Sequence, residues 1–168
     1  MHTDYLCEVL DELGKRGFHR TVDTTLFCSE ENVKRVAERC ELFLVDLKLM
    51  DSEKHRRYTG VPNEQILENI RRIAKNGHPF VIRIPLIDGI NADEKNIDET
   101  AIFLNSLPLS GSPTVHLLPY HDVGRDKHRR MWSSYNPQHV PMEAPSEELQ
   151  QKCRRQLEAL GLRVIVGG

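Results

Sequence analysis

The sequence predicts an α/β fold built on a parallel sheet, and three observations carry that prediction. Segments with apolar residues at helical spacing alternate with short runs of aliphatic and β-branched residues along the 168-residue chain. Helices separate the successive runs, the arrangement that gives parallel strands joined by right-handed crossovers. The four main runs also share one plan, apolar at the start and polar at the carboxyl end. Two architectures satisfy these observations: a doubly wound sheet and part of a (β/α) barrel.

The elements follow in order. Residues 3–16 place Leu6, Val9, Leu10 and Leu13 on one helical stripe, and Gly17 supplies the stop. HRTVDTT, 19–25, reads as a short first strand. Ser29 is placed to cap a second helix whose apolar face holds Val33, Val36 and Ala37. LFLVDLKLMD, 42–51, opens as an apolar strand of the kind covered on both faces. It then turns polar at Asp46 and Lys48, which as i and i+2 point the same way. Asp51 and Ser52 begin a short polar helical turn, and Asn63 is placed to cap a longer helix with Ile66, Ile70, Ile73 and Ala74, closed by Gly77.

PFVIRIPL, 79–86, is the third strand. Asn91 and Glu94 have the N-x-x-E spacing of a capping box, ahead of a stripe of Ile97, Ala101 and Leu104. TVHLLPY, 114–120, is the fourth strand. Residues 121–145 form an irregular stretch, and loops of that length in compact domains are as a rule functional or mobile. Ser146 caps a last helix with Leu149, Cys153, Leu157 and Leu160, Gly161 ends it, and LRVIV, 162–166, makes one further strand. No boundary, repeat or low-complexity tract interrupts the chain, so residues 1–168 are expected to form one domain.

Composition narrows the function classes. Charged residues make up 29% and hydrophobic ones 39%, a globular balance. A formal net charge of -2 gives no overall field favouring nucleic acid or an anionic membrane. No apolar run approaches the ~18 residues of a membrane span. MHTDYLCEV lacks the plan of a signal peptide, and the cytoplasm is the expected compartment. Cys7, Cys28, Cys40 and Cys153 lie beside or within apolar runs and show no C-x-x-C spacing, so they read as buried thiols. The eight histidines form no H-x-x-x-H or Cys/His cluster.

The polar residues collect where an α/β fold does its chemistry. The first strand ends in Asp23, Thr24 and Thr25, and the second in Asp46 and Lys48. The third places Arg83 within VIRIP, and the fourth ends at Tyr120 and His121. Ligands bind at the carboxyl ends of parallel strands, so these residues describe one polar pocket. Each has a plainer alternative. Asp23 and Asp46 serve equally as loop caps, Lys48 as a snorkelling side chain, Arg83 as a structural partner of Asp46, and His121 as a solvated loop residue. Jointly those alternatives weaken, because ionisable groups buried together are costly unless paired or used. The basic run RDKHRR, 125–130, reads first as a solvated loop, then as a protein-docking lip, with Trp132 as its anchor. Nucleic acid comes last, because no aromatic stacking platform accompanies the run.

Four stretches carry a resemblance: TVDTT, LFLVDLKLMDSEKHRRYTGVPNEQILENIRRI, VIRIPLIDGIN and LLPYHDVGRDK. From about residue 4 to residue 168 they resemble, in order, the C-terminal two-thirds of glycyl-radical-enzyme activating enzymes of the pyruvate formate-lyase type. These are radical S-adenosylmethionine proteins. The resemblance implies an incomplete (β/α)6 barrel with its cofactor site at the carboxyl ends of the strands. It implies that Asp46 and Lys48 form the D-x-K element near bound S-adenosylmethionine, with Asp23 and His121 at further pocket positions. Arg83, in the strand entering the P-G-x-N-like turn written here DGIN, and Lys127 are implied to lie toward a partner peptide. Tyr135 matches a position in the same loop as Lys127.

Two departures qualify it. The family's Cys-x3-Cys-x2-Cys motif, which holds the [4Fe–4S] cluster, is absent, and so is its Gly-Gly-Glu-Pro segment. The chain is therefore expected to lack roughly the first two β/α units, through the way the sequence was delimited, a misplaced start or a genuine truncation. Trp132 also stands where the family tends to have glycine. For the complete protein the resemblance implies S-adenosylmethionine and [4Fe–4S] as cofactors, a glycyl radical enzyme as protein substrate, and flavodoxin or ferredoxin as reductant. The cluster is not expected in this chain, which alone is expected to be inactive. An exposed sheet edge is expected to favour self-association. Two other readings compete: a Schiff-base lyase or aldolase using Lys48 as the amine, and a non-catalytic module that binds a cofactor or a protein.

Overall fold

The elements of the computed structural model run α1 (Thr3–Lys15), β1 (Thr21–Thr24), α2 (Glu30–Ala37), β2 (Leu42–Asp46), α3 (Ser52–Thr59) and α4 (Glu64–Lys75). They continue with β3 (Phe80–Leu86), α5 (Glu94–Asn105), β4 (Thr114–Pro119), α6 (Glu147–Ala159) and β5 (Arg163–Val166). The structure describes residues 2–109, 111, 113–122 and 141–167. Lys127, Trp132 and Tyr135 lie outside the described residues.

All strand pairs are parallel, in the order β1-β2-β3-β4-β5. That order separates the two architectures. A doubly wound sheet reverses direction at a switch point and carries helices on both faces. Here each strand lies beside its sequence neighbour, so right-handed crossovers all advance one way and put the helices on one face. Burial alternates to match. Phe43, Val45, Ile82, Ile84, Leu86, Val115 and Leu117 are buried toward the helices. Leu42, Leu44, Asp46, Val81, Arg83, His116 and Leu118 alternate with them and are only half-buried on the inner side. The sheet is an arc of a barrel that does not close.

The apolar stripes supply the core. Ile66, Ile70, Ile73 and Ala74 of α4 join Ile97, Ala101 and Leu104 of α5 in one cluster against the sheet. Each fully buried aliphatic side chain of this kind contributes about 1.5–3 kcal/mol. Ser29, Asp51 and Ser146 cap α2, α3 and α6, accepting from the backbone N–H of Asn32, Lys54 and Leu149. Two expected caps are different. Asn63 occupies the N-cap position of α4 without capping it, and instead donates to the carbonyls of Leu49 and Met50. The Asn91–Glu94 capping box is not formed, because Asp93 caps α5 by accepting from Asn96 N–H. Both asparagines are buried beside loop carbonyls, and a buried carbonyl needs a donor that a carboxylate lacks.

At the amino ends of β1 and β2, Arg20 and Glu41 lock the two strands together. Arg20 donates from its backbone N–H at 2.6 Å and from Nε at 3.1 and 3.2 Å to the Glu41 carboxylate. Its Nη2 also bonds Glu41, and Nη1 reaches the carbonyl of Leu10 within α1. A side chain at residue 14 would run into the Arg20 guanidinium, which accounts for Gly14 in the last turn of α1. At the outer edge of β1, Leu6, Val9, Leu10 and Leu13 of α1 line an apolar groove of about 310 Å³ with Val22 and Val33.

Candidate functional site

The carboxyl ends of β1, β2 and β3 bring together Asp23, Asp46, Arg83 and Lys48. Register does most of this. Asp46 and Arg83 are Cα partners across β2 and β3, and Arg83 is in turn the partner of His116 on β4. Alternation then points all three to the inner side of the arc. Arg83 donates to Asp46 Oδ1 from Nε at 3.0 Å and from Nη2 at 2.7 Å, and from Nη2 to Asp23 Oδ1 at 2.6 Å. Lys48 Nζ holds the other oxygen of Asp46 at 2.9 Å. The result is a charge-balanced chain, Asp23–Arg83–Asp46–Lys48.

Exposure is graded along that chain. The side chains of Asp46 and Arg83 are 19% and 20% exposed, Lys48 31% and Asp23 57%. Burial by itself would lower the Arg83 pKa, but the hydrogen bonds and charges of Asp46 and Asp23 outweigh it and hold the guanidinium firmly charged. Asp46 is the shared anchor at the centre. Asp23 Oδ2 and Arg83 Nη1 have no partner among the described residues. His121 lies just past β4 and is exposed, with no hydrogen bond or ion pair to this group among the described residues.

Sequence reasoning missed residues of two kinds. His116 is one, a half-buried inner-side residue in register with Arg83 and without a hydrogen-bond partner among the described residues. Its signal was the i+2 spacing from Leu118, hidden inside a strand that reads as apolar. The others are asparagines. Asn69 of α4, fully buried, donates to the carbonyls of Leu26 and Cys28 in the loop after β1. That loop contains Leu26 at φ 59°, a left-handed conformation costly for a leucine. Asn63 and Asn91 perform the same service for the loop after β2, and Asn96 accepts the Met50 N–H of that loop.

The model of the radical SAM superfamily matches residues 1–101. The chain belongs to the radical SAM superfamily. Within it, the chain is 35% identical to the trans-4-hydroxy-L-proline dehydratase activating enzyme of Clostridioides difficile, over 98% of the chain and 54% of that protein. It is 29% identical to pyruvate formate-lyase 2-activating enzyme of Escherichia coli strain K12, over 100% of the chain and 56% of that protein. A crystal structure of a domain of pyruvate-formate lyase-activating enzyme from Bacteroides vulgatus superposes with a TM-score of 0.83 at 46% identity, covering 99% of this chain and 92% of that one. These similarities identify the chain as a member of the glycyl-radical-enzyme activating group. It spans about half the length of the full-length relatives it matches.

Radical SAM proteins use S-adenosylmethionine and a [4Fe–4S] cluster, and the two fit this chain differently. Cys7, Cys28, Cys40 and Cys153 do not converge, and no three His, Cys, Asp or Glu side chains among the described residues form a metal site. Burial, with the Glu41 charge added, pushes the Cys40 thiol up to about 11, and burial raises Cys28 and Cys153 as well. Those three are held toward the thiol form, and with no group of metal-ligating side chains among the described residues the cysteines present do not fit the cluster. The polar end of S-adenosylmethionine, with an ammonium, a sulfonium and a carboxylate, does suit the residues present. Among the described residues Asp23 Oδ2 is an unused acceptor, and Lys48 has protons beyond the one it gives Asp46.

Proposed function

We propose that the chain is the C-terminal portion of a radical SAM activase that generates a glycyl radical on a partner enzyme such as pyruvate formate-lyase. Its part is to bind and orient S-adenosylmethionine. The observation that carries this reading is the charge-balanced chain at the carboxyl ends of β1–β3, with one carboxylate oxygen and one guanidinium nitrogen unused among the described residues. Asp23, Asp46, Lys48 and His121 are assigned to the cofactor, and Arg83 and Lys127 to the partner peptide. In the complete protein a [4Fe–4S] cluster, held by residues other than the cysteines of this chain, would provide the reducing chemistry, with flavodoxin or ferredoxin as the reductant.

The purified chain is accordingly expected to bind S-adenosylmethionine in calorimetry and to form no 5′-deoxyadenosine with dithionite. Absence of binding would sink the cofactor assignment, and turnover would sink the expected inactivity. The open edge of β1 and its apolar groove favour self-association, with a concentration-independent monomer in light scattering as the contrary result. The Schiff-base reading is disfavoured, because Lys48 Nζ is committed to Asp46 rather than presented as a free, desolvated amine.

A further inference from the structure

Lys48 lies two residues beyond the end of β2, where the regular ladder no longer sets its direction. One ladder bond continues, Leu47 N–H to the Arg83 carbonyl at 2.9 Å. From there three asparagines take over, each from a different segment. Asn91, in the turn after β3, donates from Nδ2 to the carbonyl of Lys48 at 2.8 Å and to that of Pro85 at 2.7 Å. The same side chain accepts the Ile87 N–H at 2.7 Å, so its hydrogen bonds tie the β2 loop to the end of β3. Asn63 donates to the carbonyls of Leu49 and Met50 at 2.9 and 2.7 Å. Asn96 accepts the Met50 N–H at 2.9 Å and donates to the Asn91 carbonyl at 3.0 Å. All three are buried, with 2%, 2% and 5% exposure for Asn63, Asn91 and Asn96.

We infer that Asn63, Asn91 and Asn96 are positioning residues that set Lys48 against Asp46 and so preorganise the polar end of the cofactor site. The functional half of this inference rests on the reading under Proposed function. The physical argument is one of degrees of freedom. A lysine on an unconstrained loop loses much side-chain entropy when it is held in a single ion-pair geometry. Fixing the backbone on both sides of Lys48 removes part of that cost before any ligand arrives, and preorganisation of this kind appears as affinity. Leu47 and Leu49, buried on either side, anchor the loop from below and leave Lys48 alone to face the site. The plainer role, saturation of buried carbonyls with no bearing on Lys48, makes a different prediction.

The test uses the full chain, with Asn91→Ala and Asn96→Ala set beside Val164→Ala, a core truncation in β5 three strands from β2. Three readouts are taken: acetylation of Lys48 by acetic anhydride relative to Lys75, hydrogen exchange at the Met50 amide, and S-adenosylmethionine affinity. In both asparagine variants we expect Lys48 labelling to rise at least threefold and affinity to fall at least tenfold. Met50 exchange should accelerate at least tenfold in Asn96→Ala. Val164→Ala should lower Tm and move none of the three. Unchanged Lys48 labelling in both asparagine variants, or an equal rise in Val164→Ala, overturns the inference. If Asn91→Ala fails to fold, Asn63→Ala takes its place. If the wild-type chain binds no S-adenosylmethionine while Lys48 labelling still responds, the positioning role stands and the cofactor reading falls.

Discussion

The two ends of the sheet carry the same chemistry to opposite purposes. At the amino ends, Arg20 and Glu41 satisfy each other: both carboxylate oxygens are taken, the Arg20 backbone N–H joins in, and the remaining guanidinium nitrogen reaches Leu10. At the carboxyl ends, Arg83 is divided between two carboxylates, and Asp23 keeps one oxygen unused among the described residues. An arginine–carboxylate pair saturated by its own neighbours is a fastener. One left with surplus valence among the described residues at the carboxyl end of the sheet is the group to which the proposed function assigns binding. The difference lies in what remains unpaired, not in residue type.

Substitutions sharpen that contrast. Asp46→Ala should have the largest effect, since it removes the carboxylate partner of Lys48 and two of the three hydrogen bonds of Arg83. A loss of about 1–3 kcal/mol is expected in urea titration, together with loss of S-adenosylmethionine binding. Arg20→Ala should lower Tm less than this and leave affinity per folded molecule unchanged. A parallel loss of affinity would erase the distinction between the two ends.

The acid limb gives a finer test. Hydrogen bonds from the Arg20 side chain, then from its backbone N–H, hold the Glu41 pKa at about 2 against an ordinary value of 4.5. A carboxylate lowered on folding stabilises above its unfolded pKa, so this contribution is present above pH 4.5 and is lost as pH falls from 4.5 toward about 2. Glu41→Gln should flatten that stretch of the stability–pH curve, as followed by circular dichroism. Asp23→Asn should be the mildest, within about 0.5 kcal/mol of wild type in stability because the side chain is more than half exposed, while weakening cofactor binding measurably.

Much of this was legible in the residues. Helical stripes, the caps at Ser29, Asp51 and Ser146, and the polar strand ends at Asp23, Asp46 and Lys48 are local patterns, carried by spacing of a few residues. The asparagines misled for the same reason. Asn63 and Asn91 stand at cap-like spacings, and local spacing carries no information about which carbonyls will be buried beside them. His116 was hidden because its neighbours along the strand are apolar, while the residue that gives it a setting, Arg83, is on another strand.

The sequence alone determined the alternation of helices and parallel strands and the side to which each strand residue points, because periodicity and i, i+2 geometry are properties of the chain. Only the tertiary structure decided that the strands run consecutively and the sheet is an open arc. It alone decided that Arg83 spans two strands to reach Asp23, and that Arg20 closes on Glu41 across 21 residues. Pairings of that kind depend on which strands become neighbours, and that is set by the burial of a shared core rather than by any one segment.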